Sequence, residues 1–234
     1  MSGPPGCGTE KAVHSVVVVS SFRLLREAVR ALIEGDPAFH VIAESDGNSH
    51  TLRAVADLRP DLILFDLDPN YAASIETMRE LIRNLPAVRV IAFSQYTEDT
   101  IVESALRTGV WGFLSKAGPS QELAGVLQLV AEGDVYLSPR IAARVMDWVK
   151  KREVASTPNP TLKGLTKREI ELLRLVGEGK TSKEAAVALD LAVESVRTYR
   201  KSLMKKLNVH NVAGLLRLAA SAGLIRITSA TEPE

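Results

Sequence analysis

SVVVVSSFRLLREAVRALIEG, residues 15–35, reads as a strand followed at once by a helix. Ser15–Val19 carries four consecutive valines with no polar alternation, the pattern of a strand buried on both faces. From Phe22 to Ile33 the apolar spacing lengthens to that of a helix, through Leu24, Leu25, Ala28, Val29, Leu32 and Ile33, and Gly35 ends it. The unit then recurs. Strands are expected at His40–Glu44, Leu62–Asp66, Val88–Phe93 and Gly112–Leu114, and helices at His50–Leu58, Ala73–Leu85, Glu98–Thr108 and Ser120–Ala131. Five strands alternating with five helices predict an α/β fold, a doubly wound five-stranded parallel sheet with helices on both faces. The crevice of such a sheet lies at the carboxyl ends of its strands, where Ser20, Ser21, Asp66, Ser94 and Lys116 fall.

Beyond this module the chain changes character. Ser138-Pro139 breaks the pattern, Arg140–Val149 reads as an amphipathic helix, and the polar, proline-bearing Lys150–Thr161 reads as a linker. Thr166 to Glu169 and Thr181 to Glu184 are capping boxes, each opening a short helix. A tight turn, Asp190–Val193, leads into ESVRTYRKSLMKKL, residues 194–207, where Ala192 is a poor cap. Val196, Tyr199, Leu203 and Leu207 form one stripe of this helix, while Arg197, Arg200, Lys201, Lys205 and Lys206 flank it. A last helix, Val212–Ala222, ends at Gly223. Two short helices about a tight turn, the second strongly basic, make a helix-turn-helix unit suited to the major groove. The expected layout is a tail over residues 1–13, an α/β domain over 14–137, a helix-bearing linker over 138–161, an all-α four-helix domain over 162–228 and a tail over 229–234.

Charge divides the same way. The net charge of the whole chain is +1, but residues 162–228 hold 13 Lys/Arg against 6 Asp/Glu, and the remainder holds 16 against 22. A basic module on an acidic one points to nucleic acid at the C-terminal end. No apolar run reaches the ~18 residues of a membrane span, and the N-terminal MSGPPGCGTEK lacks the apolar core of a signal peptide. A single cysteine, Cys7, excludes an internal disulfide framework, and a cytoplasmic location is expected. Enzymatic readings find no support: there is no Walker phosphate loop, no Gly-rich dinucleotide turn and no His/Cys metal cluster. His210 has no second ligand at useful spacing and reads as a polar surface or capping residue.

The first module resembles the receiver domain of two-component response regulators. The resemblance rests on DLILFDLDPN, which aligns Asp66 with the phospho-acceptor. VIAFS puts Ser94 at the hydroxyl position, and GVWGFLSKAG puts Lys116 at the lysine and Phe113 at the aromatic that switches rotamer. One departure stands out. Where the family carries an acidic pair that binds Mg²⁺, this chain has Ser20 and Ser21. Asp68 stands where the family offers a backbone carbonyl. The resemblance with this departure implies weak or absent Mg²⁺ binding, no resident cofactor or metal, and an Asp66 that forms an ion pair with Lys116 rather than accepting phosphate.

The second module resembles the LuxR-type DNA-binding domain, and the two together resemble the NarL/FixJ class of response regulators. That implies a sequence-specific transcription regulator acting as a dimer on double-stranded DNA. Carried over residue by residue, Arg197, Thr198 and Lys201 reach bases or the groove floor, with Arg200 on the same basic helix. Tyr199 either contacts a phosphate or packs inward, Ser182 and Lys183 meet phosphates, and Lys205 is a phosphate contact or a solvated charge. Leu215, Leu218 and Ala219 in the last helix are candidates for the dimer interface. The chain would act as a homodimer or as a heterodimer with a related response regulator, and RNA polymerase is a further candidate partner. Three alternatives stay open: a partner that binds DNA only in the heterodimer, a conventional regulator phosphorylated at Asp66, and a receiver whose pocket takes a small ligand.

Overall fold

A computed structural model describes residues 13–138, 141–142, 145 and 164–209, together with 214–215, 218–219, 222 and 224. Residues 1–12 of the tail expected over 1–13, the tail expected over 229–234, and residues 146–161 of the linker expected over 138–161 lie outside these residues. The elements are β1 (His14–Val19), α1 (Arg23–Ile33), β2 (Phe39–Ser45), α2 (Ser49–Leu58), β3 (Leu62–Asp66), α3 (Tyr71–Asn84), β4 (Arg89–Ser94), α4 (Asp99–Thr108), β5 (Gly112–Ser115), α5 (Gln121–Ala131) and β6 (Tyr136–Leu137). They are followed by α6 (Lys167–Gly177), α7 (Ser182–Leu189) and α8 (Val193–Lys206).

The sheet is parallel throughout, in the order β2-β1-β3-β4-β5-β6. Side chains alternate between its two faces, so the valine run divides. Val17 and Val19 join Ile63, Phe65 and Ala92 against α3 and α4, while Val16 and Val18 join Leu62, Leu64 and Ile91 against α1 and α5. All four valines are at most 2% exposed, which contributes about 1.5–3 kcal/mol each. Both faces are therefore apolar, and polar groups collect at the strand ends. From the segment after the sheet, Ile141 and Val145 are helical and complete the core on the α3–α4 side.

The sixth strand was not expected. At two residues β6 is too short to show a period, yet it pairs with β5 through Gly112↔Tyr136 and Phe113↔Leu137. Its pairing draws the α5–β6 turn to the sheet edge. Gly133 makes that turn in the left-handed region (φ 84°), where a side chain would be strained.

Helices α6–α8 close over Leu172, Leu173, Val176, Ala185, Leu189, Val196 and Leu203. Both capping boxes form: Thr166 accepts from the Glu169 amide at 3.2 Å and Thr181 from the Glu184 amide at 3.3 Å, and each glutamate accepts from its cap's amide at 2.9 Å. Helix α8 starts at Ala192 with no side-chain cap, as its sequence implies. Asp190, left-handed at φ 52°, turns the chain between α7 and α8. Leu215 and Ala219 are fully buried in this core, which corrects their assignment to a dimer interface, while Leu218 is half-buried. The closing helix needs its apolar stripe to seal α6–α8. Val135 and Leu137 of the α/β domain also pack against this cluster, so the two modules touch.

Candidate nucleic-acid interface and receiver pocket

Asp66 ends β3 and is 4% exposed. Ser20, one residue past β1, donates from Oγ to Asp66 Oδ2 at 2.6 Å and accepts from the Phe22 amide at 3.2 Å. Lys116, one residue past β5, donates from Nζ to Asp66 Oδ1 at 2.6 Å and to Asp68 Oδ2 at 2.7 Å. The expected Asp66–Lys116 ion pair is thus present, and it is shared with a second carboxylate. Asp68, 2% exposed, is turned inward: Ser94 Oγ donates to its Oδ1 at 2.7 Å and the Gln95 amide to its Oδ2 at 2.9 Å. Burial pushes the Asp68 carboxyl up, but the bonds from Lys116, Gln95 and Ser94 outweigh it and hold the group below the usual carboxylate range. Phe113 is fully buried in β5. Ser21 is exposed and lines, with Ser20, Asp46, Asn70 and Thr77, a cavity of about 180 Å³ beside Asp66.

The basic helix faces the α/β domain. Arg197 donates to Glu132 at 2.9 Å, and Lys183 lies 3.3 Å from the same carboxylate. Asp134, 1% exposed, accepts from the Ser182 amide at 3.1 Å, from Ser182 Oγ at 2.5 Å and from Arg200. Arg200 also donates to Ser182 Oγ at 3.0 Å. Burial raises the Glu132 carboxyl, but Gln128, Lys183 and Arg197 together bring it below its ordinary range. For Arg200 burial wins, pulling the guanidinium down against the pull of Asp134.

The predicted contact residues therefore split into two sets. Lys183, Thr198, Tyr199, Lys201 and Lys205 are exposed, Tyr199 at 40%, so the inward option for that ring does not hold. Thr198 turns its hydroxyl back to the Glu194 carbonyl at 3.0 Å. Ser182 and Arg200 are buried at 0% and 6%, and in this arrangement they meet Asp134, not solvent. Arg197 is half-buried against Glu132. Sequence reasoning missed Glu132, Asp134 and Gln95. The opposed charges of the two modules were the available signal for the first two; Gln95 acts through its backbone and left none.

Residues 16–128 match the response regulator receiver domain family, and residues 163–219 match the luxR family of bacterial regulatory proteins. The transcriptional activator protein ExaE of Pseudomonas putida is 32% identical over 188 residues, covering 80% of this chain and 87% of that protein. The transcriptional regulatory protein LiaR of Bacillus subtilis (strain 168) is 28% identical over 194 residues, covering 83% and 90%. Among solved structures, RcsB from Salmonella enterica serovar Typhimurium bound to a promoter superposes with a TM-score of 0.53 at 21% identity, covering 90% of this chain and 98% of that one. At that identity the likeness is one of fold. The chain belongs to the response regulators that join a receiver domain to a luxR-type helix-turn-helix domain. It is a DNA-binding transcription regulator of that build.

Proposed function

We propose that the chain regulates transcription as a dimer on two DNA half-sites and is not switched by phosphorylation of Asp66. The observation that carries this reading is the hydroxyl of Ser20, which donates to Asp66 where a metal-binding carboxylate would stand. Mg²⁺ is a hard cation that takes carboxylate oxygens. A neutral hydroxyl already committed to the acceptor aspartate, with Lys116 bridging Asp66 and Asp68, does not suit it. Without the cation, charge developing on a transferring phosphoryl group is poorly neutralised. No metal or cofactor is assigned.

Control then lies in releasing α7 and α8. Glu132 and Asp134 occupy Lys183, Arg197 and Arg200, and DNA phosphates and base edges call on the same side chains. Dimer partner and protein concentration, rather than a covalent mark, set how often α8 is free. That RcsB has been solved as two dimers bound to two parallel DNAs supports the dimeric form; RNA polymerase is a candidate partner at the bound promoter.

Gel shift tests this reading, using the purified chain alone and then mixed with related regulators, each with and without acetyl phosphate and Mg²⁺. The expected result is a dimer-sized complex formed by the chain alone and unchanged by acetyl phosphate. A shift that requires acetyl phosphate contradicts it, and one that requires a second regulator moves the function to the heterodimer.

A further inference from the structure

We propose that Asp68 is a built-in anion that fills the receiver's phosphoryl cradle with the chain's own carboxylate. The inference rests on the phosphorylation-independent reading above and gives it a second physical basis. Three donors converge on this side chain: the Ser94 hydroxyl at 2.7 Å, the Gln95 amide at 2.9 Å and the Lys116 ammonium at 2.7 Å. One positive charge, a hydroxyl and a backbone N–H make a site for an anion. The cradle opens beside Asp66, which Lys116 reaches at 2.6 Å and whose Oδ1 accepts from the Asp68 amide at 2.9 Å. A phosphoryl group on Asp66 would need the donors that Asp68 already holds.

Asp68 suits the task by position and burial. It lies two residues beyond β3, so its backbone is tied to Asp66 and its carboxylate reaches across to the ends of β4 and β5. At 2% exposure it has no water to fall back on, and eviction would leave a buried charge without partners. Ser94 and Lys116 are thereby drawn together on folding, by a charge in the sequence rather than by one added afterwards. The donor geometry of the receiver is constitutive.

The test uses full-length protein and inorganic sulfate, read by calorimetry and by thermal shift. Wild type, Asp68→Ala, Asp68→Ser and Asp68→Ala/Ser94→Ala are compared after circular dichroism establishes that each is folded. Anion binding to the basic face of α8 is common to all four and cancels in the comparison. Emptying the cradle should give Asp68→Ala an additional site at least about tenfold tighter than anything in wild type, weakened again by Ser94→Ala. If the alanine variant does not fold, Asp68→Ser carries the same test, since it removes the charge and vacates most of the carboxylate's volume. Equal sulfate binding by wild type and the folded variants overturns the inference and leaves the phosphorylation-independent reading standing. Covalent labelling of wild-type Asp66 by acetyl phosphate and Mg²⁺, read by mass spectrometry in parallel, overturns that reading instead.

Discussion

Arg197 of α8 and Glu132 of the receiver are paired at 2.9 Å, so the arginine proposed to read a base is held by a carboxylate of its own chain. Glu132 sits on the α5–β6 turn, which exists in this position because β6 adds to the sheet edge. Removing its charge should favour DNA. For Glu132→Gln the pair contributes about 1 kcal/mol, and the affinity gain expected in fluorescence anisotropy is roughly fivefold. Unchanged affinity would mean that the pair does not compete with DNA.

Asp134 is the stronger hold, since Ser182 and Arg200 are buried against it. Losing one member of a fixed buried pair costs about 3–5 kcal/mol. Here α6–α8 can leave the receiver and hydrate Arg200 instead. Asp134→Ala should therefore separate the modules without unfolding either. Hydrogen exchange should show faster exchange at the Ser182 amide, which Asp134 accepts from at 3.1 Å, and undiminished protection of the Leu172–Leu203 core.

Docking should also weaken with acid. Glu132 is held below its ordinary range when docked, so its contribution is complete above the pKa of an undocked glutamate and is lost as pH falls through the depressed value. Wild type and Glu132→Gln should differ in the exchange rates of α8 amides at neutral pH and converge in acid. A difference that persists at low pH would assign docking to other groups.

Base readers and phosphate contacts separate by salt. Lys205 is exposed on the last turn of α8. Lys205→Ala should weaken binding evenly across sequences and lower the salt slope by about 1. Arg197→Ala should instead relax specificity, at about 1–3 kcal/mol for each lost base contact. The measurement is a titration of each variant on matched and scrambled duplexes at several salt concentrations.

Much of this was open to reading from residues alone. The valine run of β1, the alternation that follows it and the two capping boxes are local signals, and each formed where its spacing implied. What escaped depends on tertiary context. Strand β6 has no period to detect, and its pairing with β5 fixes the turn that carries Glu132 and Asp134. Asp68 was legible as a second carboxylate at the pocket, but nothing in DLILFDLDPN says which way a side chain beyond a strand end will turn. Leu215 and Ala219 read equally well as interface or core, since an apolar stripe on a closing helix serves either use, and burial decides for core. Ser20 and Ser21 were visible as a departure, but the bond from Ser20 to Asp66 became apparent only in three dimensions.

Whether α8 reads specific DNA is measured most directly by genome-wide DNA capture with the full-length chain, repeated with Arg197→Ala. Discrete sites sharing a two-half-site pattern, lost in the variant while Arg197→Ala remains folded, are the predicted result. Capture of the same sites by the variant, or no enrichment of any sequence by wild type, would contradict the account.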